Sequence, residues 1–278
     1  MKKINRRSFL AAAGLTAAAL ALTACGGSAS STASSTASSA ASSAAASTSA
    51  AAELTTVEAG KLTMATNAAF PPYEMTTDAG EFEGIDIDTA KAIAEKLGLE
   101  LQIDDMDFDA ALLSVQQGKA DIVMAGVTVT DERKAVMDFS DSYATGIQSI
   151  IVPEGSDITS PDDLAGKKIG TQRGTTGYIY CSDDFGDDAV VAYDDGLTAV
   201  QALNNGQVDA VVIDNAPAKE FVAANPGLVI LDTSYAEEDY AIGLAKGSAL
   251  EDAVNAALEE LKADGTLQSI VDKYITAE

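Results

Sequence analysis

Ser114-Val-Gln-Gln-Gly-Lys-Ala-Asp-Ile-Val-Met-Ala-Gly126 recurs 88 residues later as Ala202-Leu-Asn-Asn-Gly-Gln-Val-Asp-Ala-Val-Val-Ile-Asp214, without a gap. In each copy a helical stretch runs into a glycine (Gly118, Gly206) suited to the left-handed position that closes a helix. An Asp follows, and then a short, wholly apolar run that reads as a strand buried on both faces. Upstream, Gly60-Lys-Leu-Thr-Met-Ala-Thr66 and Gly166-Lys-Lys-Ile-Gly-Thr-Gln172 repeat the form of an opening strand, so whole α/β lobes are duplicated. Open α/β sheets bind ligands beyond the carboxyl ends of their strands, and pockets favour the space between lobes. Residues that end strands in the two copies, Gly126 and Asp214 among them, are therefore the first site candidates.

The flanking sequence bounds the setting. Lys2, Lys3, Arg6 and Arg7 precede an apolar run, and Leu22-Thr-Ala-Cys25 has the small residues and cysteine of a lipoprotein cleavage box. Residues 1–25 are thus expected to be a signal peptide with Cys25 as the lipidated residue; Arg6-Arg7 leaves both ordinary and twin-arginine export open. The apolar run falls short of the ~20 residues a membrane span needs. Residues 26–55, dominated by Ser, Ala and Thr, cannot bury a core and read as a flexible tether.

Without the first 25 residues the chain has 13 basic against 43 acidic residues, a net charge of about −30. Nucleic acid is therefore an improbable partner. The chain has no His and no Trp, and Cys181 is the only cysteine besides Cys25, which removes most metal, Cys/His and Ser/His/Asp chemistry. No cofactor is expected.

Strand and helix signals alternate over the folded part. Strands are expected at Leu62–Thr66, Leu99–Ile103, Ile122–Ala125, Ala210–Ile213 and Tyr240–Leu244. Helices are expected from Asp86 to Gly98, from a cap at Asp109 to Gln117, from Thr198 to Asn204, and twice in the last 30 residues. Phe139–Val152 reads as a crossing into the second lobe. The division is 56–147 with 239–278 for a discontinuous lobe 1 and 148–238 for lobe 2. Two crossings make a hinge rather than a loose linker.

Gly126-Val-Thr-Val-Thr-Asp-Glu-Arg133 holds a glycine that admits close approach, a hydroxyl at Thr128, and at Arg133 a planar fork matched to a carboxylate. The alternative is that Asp131 caps a helix and Arg133 pairs with Glu132 or Asp138. Asp214 ends an apolar strand where a carboxylate is costly without a cation, although an Asp there also suits a loop start. Gly174-Thr-Thr-Gly177 offers N–H groups and hydroxyls at a helix N-terminus, without the Lys of a phosphate loop. Phe70 and Phe108 follow strands and can place rings at the cleft mouth, or pack in the core.

Ala68-Ala-Phe-Pro-Pro-Tyr-Glu74, Gly84-Ile-Asp-Ile-Asp88, Asp121 to Arg133, Asp138-Phe-Ser-Asp-Ser-Tyr143, Leu164 to Gly170 and Gly174 to Gly177 stand in the order of a known family's motifs. The chain resembles the bacterial solute-binding proteins of polar amino acid ABC transporters, extracellular solute-binding family 3, over residues 60 to 276. The resemblance implies a type II periplasmic-binding-protein fold of two α/β lobes joined by a two-segment hinge. It also implies a monomeric, lipid-anchored binder on the outer face of the cell membrane, delivering an L-amino acid to a permease with its ATPase. It assigns the Gly126 amide, Thr128 and Arg133, with Thr176, to the ligand α-carboxylate, and Asp214 to the α-ammonium. Phe70 and Phe108 become aromatic walls, and Asn67 and Gln172 stand where side-chain selectivity is set. Family members for basic amino acids commonly carry an acid at the place of Asn67. The neutral amide therefore favours a neutral polar ligand such as glutamine, with Arg173 keeping an acidic amino acid as second choice. The rivals are a dehydratase of the arogenate type, for which no catalytic constellation is recognisable, and a sensor subunit.

Overall fold

The computed structural model describes residues 54–275; the expected signal peptide, Cys25 and nearly all of the tether lie outside them. In chain order, β1 (Lys61–Thr66) leads to three very short strands, β2 (Ala69–Phe70), β3 (Glu74–Thr76) and β4 (Phe82–Glu83), which pair antiparallel as a small sheet. Next come α1 (Ile85–Leu97), β5 (Glu100–Asp105), α2 (Phe108–Gln116), β6 (Ile122–Val123), α3 (Asp131–Val136) and β7 (Met137–Phe139). The long β8 (Ala144–Pro153) opens a second set: β9 (Ile169–Gln172), α4 (Thr176–Phe185), β10 (Val190–Tyr193), α5 (Gly196–Asn204), β11 (Ala210–Asp214), α6 (Asn215–Ala224) and β12 (Leu228–Ile230). The chain then runs through β13 (Ala236–Tyr240), β14 (Gly243–Ala245), α7 (Glu251–Ala263) and α8 (Thr266–Tyr274).

Two sheets carry the molecule. The first has order β5-β1-β6-β14-β7 and the second β10-β9-β11-β8-β12, with β13 also on β8. In each, the opening strand (β1, β9) lies between the next strand of its unit (β5, β10) and the one after (β6, β11), and all these pairings are parallel. The chain thus steps to one side of the opening strand and then to the other, which leaves a switch point beside it. In the first sheet Asn67 and Gly126 follow the flanking strands, and in the second Gln172 and Asp214 end them.

The repeat has a physical basis in both copies. After α2, the Gly118 N–H donates to Val115 O and the Lys119 N–H to Ser114 O; after α5, Gly206 and Gln207 donate to Leu203 O and Ala202 O. Gly118 and Gly206 have φ of 65° and 67°. This is the Schellman closure, and a residue with a Cβ is strained there. The Asp that follows makes the same clamp twice: Asp121 Oδ2 accepts from Thr63 N at 2.8 Å, and Asp209 Oδ2 from Lys168 N at 2.7 Å. These bonds pair Thr63 with Lys168, one residue out of step with an alignment on Gly60 and Gly166.

Some boundaries differ from the sequence expectation. Asp107, not Asp109, occupies the N-cap position of α2, and Asp109 falls in its first turn. The cap of α3 is Thr130, whose hydroxyl accepts from Arg133 N, rather than Asp131. Helix α6 was not anticipated, although Asp214 as its cap and Pro217 in its first turn are helix-start signals. The apolar packing comprises Leu62, Met64, Ile122 and Met124 under the first sheet and Ile150, Ile169, Ala210 and Val212 under the second.

Candidate functional site

All nine sequence-derived candidates, Asn67, Phe70, Phe108, Gly126, Thr128, Arg133, Gln172, Thr176 and Asp214, line one cleft between the two sheets. Each arrives there for a local reason. Phe108 begins α2 just past the end of β5, and Arg133 is buried in the first turn of the short α3. Thr175 caps α4 by accepting from Tyr178 N, which sets Thr176 at the helix start. Asp214 ends β11 and caps α6 through Ala216 N at 2.9 Å.

At one end the groups are basic and hydroxylic. Arg133 Nη1 donates to Thr128 O at 2.8 Å, and Nη2 crosses the cleft to Gly174 O at 3.2 Å. Its guanidinium lies 5.3 Å from the centre of the Phe108 ring. Burial pulls the Arg133 pKa down, opposed chiefly by the charge of Glu238. The Thr128 and Thr176 hydroxyls meet at 3.5 Å, and Thr128 Oγ1 donates to Glu238 Oε2 at 3.0 Å. Gln148 Nε2 donates to the same Glu238 oxygen at 3.0 Å.

The acidic end is buried. Asp214 is 2% exposed; it accepts from Ile147 N at 2.8 Å and from the Tyr240 hydroxyl. Burial raises its pKa to about 6. Behind it stand Glu74, also lining the cleft, and Asp86, both wholly buried. Burial and then the facing Asp86 hold Glu74 well above the ordinary carboxyl range, and burial brings Asp86 to about 6. Taking carboxylates out of water without a cation is costly, so the cleft favours a positive group at this end.

Gly126 is near the site in another sense than expected. Its N–H donates to Asp86 Oδ2 at 2.9 Å, so that amide is spent inside the protein. What Gly126 supplies to the cleft is room: a Cβ there would sit 3.0 Å from the Phe70 ring and 3.2 Å from that of Tyr240, on a backbone with φ of 54°. At the far end, Gln172 Nε2 donates across the cleft to Asn67 Oδ1 at 2.8 Å.

Four participants went unread in the sequence: Glu74, Gln148, Glu238 and Tyr240. Gln148 had a visible signal, a lone amide inside the apolar strand Ile147-Gln-Ser-Ile-Ile-Val152. Glu74 stood in a quoted motif without a role.

Residues 62–277 match the family described as bacterial extracellular solute-binding proteins, family 3. The chain belongs to that family. It is the amino acid-binding family of ABC-transporter substrate-binding proteins, whose members are extracytoplasmic. The chain is 33% identical over 226 residues to the L-cystine-binding protein TcyJ of Escherichia coli K12, covering 80% of this chain and 85% of that protein. Among solved structures, an ancestral arginine-binding protein bound to glutamine superposes with a TM-score of 0.75 at 43% identity, covering 78% of this chain and 99% of that one. The arginine-, lysine-, histidine-binding protein ArtJ from Geobacillus stearothermophilus gives 0.75 at 34% identity, covering 78% and 96%. The fold is thus the type II periplasmic-binding-protein fold. These relatives are named as binding proteins, not as enzymes.

Proposed function

We propose that this family member is a monomeric lipoprotein that captures an L-amino acid between two closing lobes and presents it to an ABC permease with its ATPase. Lobe 1 comprises 56–147 and 239–278, lobe 2 comprises 148–238, and lipidated Cys25 holds the protein to the outer face of the cell membrane through the 26–55 tether. The observation that carries the reading is that Arg133, from α3, and Asp214, from β11 of the second sheet, line one cleft. A zwitterion spans them: Arg133 with Thr128 and Thr176 takes the α-carboxylate, and Asp214 the α-ammonium, while Phe70 and Phe108 flank the side chain. Groups divided between lobes give a ligand higher affinity for the closed form, which is what drives closure.

Asn67 and Gln172 make a neutral polar ligand such as glutamine the first choice. The absence of an acid at position 67 supports it, and an ancestral arginine-binding protein of 43% identity accepts glutamine as well as arginine. A thermal-shift screen of the purified protein against the twenty amino acids tests the reading, because a ligand that binds only the folded protein raises its stability with concentration. One or a few L-amino acids should raise the melting temperature while their D-enantiomers do not. A flat response to all twenty would refute it.

A further inference from the structure

Residues 237–239 are all acidic, Glu-Glu-Asp, and the pleat of β13 divides them. Glu237 and Asp239 are exposed, whereas Glu238 is 6% exposed and buried beside Tyr240. A carboxylate taken out of water needs donors. Glu238 Oε2 accepts from two, Thr128 Oγ1 and Gln148 Nε2, each at 3.0 Å, and both of those side chains line the cleft. Glu238 Oε1 has no hydrogen-bond partner among the described residues. The backbone enforces the same meeting. Thr128 bridges to Tyr240, with Val129 N donating to Asp239 O at 3.0 Å and Ala241 N to Val127 O at 3.1 Å. On β8, Gln148 stands opposite Ala236 of β13. One carboxylate oxygen thus ties both strands by which the chain passes between the sheets to the hydroxyl end of the cleft.

We propose that Glu238 is a positioning residue for amino acid capture: it takes the hydroxyl proton of Thr128 and so fixes which way that hydroxyl meets the ligand. The inference rests on the proposed amino acid cleft and specifies how its hydroxyl end works. An ionised carboxylate only accepts, and a hydroxyl has one proton, so the Thr128 proton is committed to Glu238 and its lone pairs are left for the ligand. Thr176, whose hydroxyl lies 3.5 Å from the Thr128 oxygen, is then the hydroxyl free to donate to the ligand carboxylate. The Thr128 oxygen accepts from the α-ammonium. Gln148, bonded to the same Oε2, keeps Glu238 from turning away. A hydroxyl oriented before the ligand arrives spares binding the cost of ordering it.

Glu238 is also the chief charge sustaining ionised Arg133. The test therefore separates reach from charge. Glu238→Gln keeps a carbonyl with two lone pairs for Thr128 and Gln148 and loses the charge, and its NH₂ replaces an oxygen that bonds nothing. Glu238→Asp keeps the charge and, one methylene shorter, loses the reach. Calorimetry uses the amino acid with the largest effect in the thermal-shift screen, L-glutamine on the reading above. Glu238→Asp should bind it about tenfold more weakly than wild type, and Glu238→Gln should recover affinity to within about threefold. With Thr128→Val already in place there is no hydroxyl to orient, so Glu238→Asp should add almost no further loss. A merely structural role predicts the same loss in both backgrounds, and that result would overturn the proposal. So would the reverse order, Glu238→Asp binding like wild type and Glu238→Gln departing from it, which marks a counter-charge for Arg133. If Glu238→Asp does not fold, as judged by its melting curve, Glu238→Ala takes its place with the same expectations. A wild type that binds none of the twenty amino acids removes the cleft and this role together, whereas a wild type that binds beside unresponsive variants removes this role alone.

Discussion

Arg133, in α3, and Gly174, in the turn after β9, are joined by a 3.2 Å bond from Nη2 to the carbonyl oxygen. A buried guanidinium is thereby shared between the halves of the molecule and held beside the start of α4. Arg133→Ala should weaken amino acid binding by about 2–5 kcal/mol, since it leaves the ligand carboxylate without a cation in a desolvated cleft. Arg133→Lys should recover only part of this, because an ammonium cannot reproduce the planar fork. Calorimetric affinities of the two variants check both statements, and unchanged binding in Arg133→Ala would place the site elsewhere.

Gly174 has φ of 73°, and a Cβ on it would run into the carboxylate of Asp109 in α2. Gly174→Ala should therefore wedge the cleft while sparing each lobe. Small-angle scattering should show a smaller ligand-induced compaction than in wild type, with affinity lowered by at least tenfold. Full compaction at wild-type affinity would show that the Asp109 side chain yields without cost.

Binding should weaken in acid. Asp214 has a pKa of about 6 in the folded protein because burial disfavours its charge, and an ammonium partner requires the ionised form. As pH falls through about 6, the dissociation constant should rise toward tenfold per unit, and ligand binding near pH 6 should release protons. Calorimetry at pH 5 and 7.5, in buffers of different ionisation enthalpy, reads both effects.

Glu74 tests the stability side of the same chemistry. Its carboxyl is held well above the ordinary range when folded, whereas in the unfolded chain it ionises near pH 4.3. Above that value the unfolded chain binds fewer protons, so this group lowers stability as pH rises. Glu74→Gln removes the penalty. It should stabilise the protein at pH 7 and have little effect at pH 4. Urea unfolding at the two pH values measures the difference; a gain equal at both would sink the explanation.

The two repeat clamps should differ in strength despite equal geometry. Asp121 is 6% exposed and accepts from both Val57 N and Thr63 N, whereas Asp209 is exposed. Asp121→Ala should cost about 1.5–3 kcal/mol of folding stability and Asp209→Ala clearly less, because charged hydrogen bonds lose strength in water. Neither change should alter ligand affinity, since neither residue lines the cleft.

What is legible in the sequence is local in origin. Gly118 and Gly206 end helices through their own backbone conformations, and the apolar runs Ile122–Ala125 and Ala210–Ile213 announce buried strands by composition. From those come the duplication and the strand ends where Asn67, Gly126, Gln172 and Asp214 stand. What stayed hidden depends on partners far along the chain. Thr128 meets Glu238 across 110 residues, Gln148 meets Glu238 across 90, and Asn67 meets Gln172 across 105. No periodicity encodes such pairs, and strands as short as β2 and β4 give no alternation to detect. The chain by itself determined two α/β units and the residue types at their strand ends, because hydrophobic runs and helix closures act over a few neighbours. Only the tertiary structure decided that the Gly126 amide is spent on Asp86 and the Thr128 hydroxyl on Glu238, because both follow from packing of segments remote in sequence.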